Sequence, residues 1–61
     1  MRLVGLRKEK ETDEIVEYDL KLYKHEIACA YKDRYGVYVS THGGRLYKVK
    51  HTLEELEAEL N

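Results

Sequence analysis

Seven residues in the middle of the chain alternate without a break. In Val16-Glu-Tyr-Asp-Leu-Lys-Leu22 every second side chain is apolar and the ones between are charged. Successive side chains of an extended backbone leave on opposite faces, so this period of two predicts a strand with one face buried and one wet. The next segment continues the theme: Ile27, Cys29 and Tyr31 alternate with Ala28, Ala30 and Lys32. A two-residue turn at Lys24-His25 would pair the two runs, with Leu22 opposite Ile27, Leu20 opposite Cys29 and Tyr18 opposite Tyr31. Lys-His lacks the Gly or Asn that tight hairpins favour, which makes this the weakest turn of the chain.

Two later turns carry their own signal. Arg34-Tyr35-Gly36 and His42-Gly43-Gly44 both read as three-residue hairpin loops with Gly at the left-handed third position. Those loops set Tyr31 against Val39 and Cys29 against Thr41, then Val37 against Val49, Val39 against Tyr47 and Thr41 against Arg45. A two-residue Gly43-Gly44 loop would instead oppose Val37 and Val39 to Lys50 and Lys48. A rival reading makes Asp13 to Arg34 one helix, with Val16, Leu20, Tyr23, Ile27 and Ala30 as its stripe. It leaves Tyr18, Leu22 and Cys29 off that stripe and has no good N-cap pair, so the strands are preferred.

The last segment changes period. Thr52-Leu-Glu-Glu55 is a capping box, in which the hydroxyl receives the Glu55 amide and Glu55 reaches back. Leu53, Leu56 and Leu60 then supply a helical stripe. At the other end, Arg2 to Arg7 predicts a strand with Val4 and Leu6 inward, and Lys8 to Glu14 a solvated charged loop. The expected fold is mainly β (α+β): a twisted antiparallel meander of four or five strands with one C-terminal α-helix. Curling into a small barrel is its variant. Strands are expected at about 2–7, 15–23, 26–33, 37–41 and 45–50, and the helix at about 53–60. The inward set is Val4, Leu6, Val16, Tyr18, Leu20, Leu22, Ile27, Cys29, Tyr31, Val37, Val39, Tyr47 and Val49, with the three helix leucines.

Sixty-one residues form a single small domain. A chain of that size buries only about 60% of its unfolded surface, and such cores usually need outside help. Cys29 is the only cysteine, so neither an internal disulfide nor a Cys-rich zinc site is available. Self-association is the remaining aid. No secretory or membrane segment is expected, since the longest uncharged N-terminal stretch is Leu3 to Leu6. A lone thiol without a leader fits a reducing cytoplasm. In its Lys, Glu and Tyr content and its lack of Pro, Phe and Trp the chain resembles many small phage proteins, a likeness of composition without a motif.

Charge is unevenly placed although the net is only −1. Residues 31–51 carry five Lys/Arg against Asp33, a net +4, and residues 52–61 carry four Glu and no base, a net −4. Tyr38 on the basic hairpin, with Arg45, Lys48 and Lys50, has the composition of a nucleic-acid stacking surface. It equally has that of a protein-binding hot spot. The acidic segment cancels the field just beyond, which gives poor long-range steering and favours protein partners.

Catalytic constellations are missing. His25, His42 and His51 fall in a turn, a loop and a strand end, and are read as surface residues. Cys29 is read as a small core residue, and Gly43-Gly44 as a turn rather than a phosphate cradle. No nucleophile–base pair, acid pair, cofactor motif or metal-ligand set is present, so no enzyme activity, metal or cofactor is expected. The expected function is a non-catalytic protein-interaction module that binds itself, as a homo-oligomer, or another protein. Leu53, Leu56 and Leu60 are its candidate oligomer contacts. The alternative is a nucleic-acid-binding module using Tyr38, Arg45, Lys48 and Lys50.

Overall fold

The alternating run of residues 15–21 does form a strand, but its neighbour is the N-terminal segment and not the segment that follows it. The computed structural model describes all residues from Met1 to Asn61. It contains β1 (Arg2–Lys8), β2 (Ile15–Lys21), a single 3-10 turn (Lys24–Glu26), β3 (Ile27–Asp33), β4 (Gly36–Thr41), β5 (Leu46–Val49) and α1 (Leu53–Leu60). All neighbours are antiparallel, in the order β2-β1-β5-β4-β3. The fold class is therefore the expected one, a five-stranded antiparallel sheet with one C-terminal helix, and the sheet is not closed into a barrel.

The Lys24-His25 hairpin is not formed. Glu26 folds back instead, its Oε1 accepting the Tyr23 amide at 3.0 Å and its own amide donating to the Tyr23 carbonyl at 2.9 Å. The Glu26 carbonyl then accepts from His42, which ties the start of β3 to the β4–β5 loop. β2 and β3 become the two edges of the sheet, running in the same direction. In a flat sheet the end of β2 and the start of β3 would be diagonal corners, about 25 Å apart along the strands and about 19 Å across them. The chain from Leu22 to Ile27 spans at most about 18 Å. Only a strongly twisted, coiled sheet can bring those corners together, and that curl makes the inner face concave.

The concave face holds the core. Leu3 faces Leu20, Gly5 faces Tyr18 and Val49, Val37 faces Val49, and Val39 faces Tyr47 and Ala30. Leu56 from α1 enters this row and is 1% exposed, with Val39 at 0%. Met1, Tyr18, Ile27, Ala30 and Tyr47 pack around it. Only nine of the 61 residues are buried, so the core is as thin as the chain length implied.

Two phases differ from the sequence expectation. On β1 the inward residues are Leu3 and Gly5, while Val4 and Leu6 are half-buried on the outer face. Leu3 is what Leu20 needs opposite it, and Gly5 leaves room for the ring of Tyr18. Between β3 and β4 the loop has two residues, Arg34 and Tyr35, so that Asp33 faces Gly36 and Tyr31 faces Tyr38. The Asp33 carboxylate fixes this turn by accepting the amides of Tyr35 (2.8 Å) and Gly36 (3.2 Å). Gly36 sits at φ +145°, a conformation that only glycine adopts freely. One residue of slip exchanges the faces of a strand, so Cys29 and Tyr31 are exposed rather than core. A bulge between Ile27 and Cys29 restores Ile27 to the inner side.

The last hairpin and the helix follow expectation. Val37 faces Val49 and Val39 faces Tyr47 around the His42–Gly44 loop, with Gly44 at φ +86°. Thr52 Oγ1 accepts the Glu55 amide at 3.2 Å and Glu55 Oε1 accepts the Thr52 amide at 3.2 Å.

Candidate interaction surface

The convex side of the sheet carries one line of residues across four strands. Leu6 stands opposite Lys48, Lys48 opposite Tyr38, and Tyr38 opposite Tyr31. The two tyrosine rings are stacked, their centroids 5.5 Å apart and their planes 22° from parallel. Lys48 is half-buried because its stem lies over Gly36, where any Cβ would meet the lysine Cε at 2.8 Å. Exposed Leu46, beside this line, and exposed Ile15, at the start of β2, extend the apolar area. Partial burial, and next the charge of Asp33 and the neighbouring Tyr31 and Tyr35 phenols, hold the Tyr38 hydroxyl protonated beyond the usual tyrosine range.

The four residues singled out as a basic binding set are split by the register. Tyr38 and Lys48 are direct neighbours, and Lys50 lies further along the same face. Arg45 has the parity of Tyr47 and Val49, so it leaves from the other side at the end of the sheet; its amide donates to Thr41 Oγ1 at 3.1 Å. Lys50 is not a free cation. Its Nζ is 2.8 Å from Glu17 Oε2, reaching across β1 from the residue after β5 to β2. That hydrogen bond, then the Glu17 charge, raises the ammonium above its ordinary range. Lys8 is similarly close to Asp13, at 3.5 Å. The surface is therefore more aromatic and aliphatic than basic.

The helix leucines are also divided. Leu56 is sealed inside the single chain, whereas Leu53 and Leu60 keep part of their surface. Leu56 is thus a core residue of the chain itself.

Of the histidines, His25 and His42 are exposed as expected, and His25 stacks on Tyr23. His51, at the end of the sheet, is half-buried and held by two partners. Its Nε2 accepts the amide of Val4 at 2.8 Å, and its Nδ1 lies 3.7 Å from Glu55 Oε2. The β1–β5 ladder has only two paired positions, Gly5 with Val49 and Leu6 with Lys48, followed by Lys50 donating to the Val4 carbonyl. Just beyond, the imidazole receives the amide that a ladder carbonyl would otherwise take. Sequence reasoning could not reach this, because the contact links positions 47 residues apart. No three His, Cys, Asp or Glu side chains converge as a ligand set. No helix is long and apolar enough to cross a membrane.

No protein family model matches this chain, and no curated protein or solved structure matches it either.

Proposed function

We propose that this chain is a small, non-catalytic protein-interaction module that associates with itself and presents the convex face of its sheet to protein. The observation that carries this reading is the continuous line Leu6–Lys48–Tyr38–Tyr31 on the face opposite the core, with Tyr31 exposed and the other three half-buried. Stacked aromatic rings bordered by aliphatic stems are the composition of a protein contact centre. The nucleic-acid alternative draws support from Lys48 beside Tyr38, and is weakened by the neutralisation of Lys50 and the displacement of Arg45.

Light scattering coupled to size-exclusion chromatography, run with and without a mixed oligonucleotide pool, tests both. The expected result is an oligomer whose mass the pool does not change. A monomer that co-elutes with oligonucleotide would replace this reading by the alternative. In that case Lys48→Glu together with Lys50→Glu should abolish binding across all sequences, because phosphate contacts carry such affinity.

A further inference from the structure

Few bonds join β1 to β5, and one of them ends on a histidine, the side-chain type that changes charge near neutral pH. The ladder pairs Gly5 with Val49 and Leu6 with Lys48, and the Lys50 amide extends it onto the Val4 carbonyl. The Val4 amide then donates to His51 Nε2 at 2.8 Å. A ring nitrogen that accepts carries no proton, so the neutral imidazole holds its single proton on Nδ1, 3.7 Å from Glu55 Oε2. A second proton can enter only at Nε2, where it would point at the Val4 N–H. The charged ring and the closed end of the β1–β5 seam therefore exclude each other.

We infer that His51 is a pH-sensitive latch on this seam, closed on Val4 when neutral and released towards Glu55 when protonated. The released ring has somewhere to go: its side chain is 24% exposed and lines an open cleft of about 380 Å³ with Met1, Arg2, Glu55 and Glu59. Among the charged groups around it, Arg2, the Met1 amine, Lys50 and the positive start of α1 oppose a charged imidazole. Glu55 and Glu59 on α1, with Asp19 opposite Val4 on β2, favour one. Lys50 and Glu17 span the same seam on the convex face, but a carboxylate–ammonium pair keeps its charges between about pH 7.5 and about pH 5.5. The open seam holds one proton more than the closed one, so acid favours opening. Leu6 and Lys48 belong to the same short ladder, and opening separates them and interrupts the convex line. The latch stands whether or not that face binds protein.

Hydrogen exchange of single amides, followed by NMR and referred to the rate of the unstructured chain at each pH, tests the latch. Protection at the Val4 and Lys50 amides should fall about tenfold between about pH 7.5 and about pH 5.5, while protection at Leu20 and Val39 holds. The ring nitrogen shifts of His51 at about pH 8 should place its proton on Nδ1. His51→Gln offers an oxygen acceptor that takes up no proton in this range. In that variant the protection of Val4 and Lys50 should not vary with pH. Four results each overturn the latch: a proton on Nε2 at the alkaline end, constant protection at Val4, an equal fall at all four amides, or a fall at Val4 that Lys50 does not share. A pH-dependent fall that persists in folded His51→Gln overturns it as well.

Discussion

The ring of Tyr18 occupies the space in which a side chain at Gly5 would stand. A Cβ built on Gly5 would lie 2.6 Å from the ring Cε1 and 2.8 Å from the hydroxyl oxygen. The two residues face each other across β1 and β2, and Arg7, two positions along, sits with its guanidinium 5.8 Å from the ring centre. Glycine is normally a weak strand residue, having no side chain to pack. Here the neighbouring phenol supplies the missing surface. Gly5→Ala should therefore cost about 1–3 kcal/mol, as overpacking does, despite alanine's better strand propensity. A urea midpoint equal to that of the wild type would show that the ring moves aside freely.

His51→Ala removes the acceptor of the Val4 amide at a half-buried site. Stability should fall by about 1–3 kcal/mol, the range for leaving one polar group unmet. Hydrogen exchange at the Val4 amide should accelerate more than at Leu20 or Val39. Uniform acceleration at all three would mean that the imidazole contributes only through general packing.

The capping box makes the helix sensitive to acid. The Thr52 backbone amide, then the Thr52 hydroxyl and His51, hold the Glu55 carboxyl below its ordinary value of 4.5. A depressed carboxylate contributes stability that is complete above the ordinary value and is lost as pH falls through the lower folded value. Helicity should thus hold at neutral pH and decline below about pH 4.5. In Glu55→Gln the contribution of this group to the acid decline should vanish. Thr52→Ala should cost about 0.5–2 kcal/mol at neutral pH, read from the denaturation midpoint.

Leu56→Ala opens a cavity in the fully enclosed part of the core and should cost about 2–5 kcal/mol. In a chain with so thin a core that is enough to unfold much of the population. Leu56→Glu should unfold the protein rather than dissociate folded subunits. Folded monomers of Leu56→Glu in sedimentation would return this leucine to the subunit interface.

Local signals were readable and long-range ones were not. The capping residues of α1, the His42–Gly44 loop and the Val37–Val49 register follow from neighbours in sequence, and the structure has them. The alternation of residues 16–22 announced a strand, but a period of two is silent about which strand lies beside it. The β1–β5 seam was therefore missed, and with it the inward phase of Leu3. The β3–β4 loop failed for a different reason. Asp33 can tighten Arg34-Tyr35 into a two-residue turn through its carboxylate, and that one-residue change moved Cys29 and Tyr31 to the outside. Of the surface residues, Tyr38 and Lys48 were adjacent in any register with Val39 opposite Tyr47. The capture of Lys50 by Glu17 required the seam.

That seam also sets the order in which the molecule assembles. The β1–β2 hairpin and the β3–β4–β5 sheet are each stitched by neighbours in sequence, while their junction waits for Gly5 to meet Val49 and Val4 to meet His51. Closing a loop of more than 40 residues is slow compared with forming a hairpin. The rate-limiting step in folding is expected to be the docking of two preformed halves. Substitutions at Val49 should then slow refolding more than substitutions within the His42–Gly44 turn, and the 3-10 link at Lys24–Glu26 is where the chain could be opened with least effect on either half.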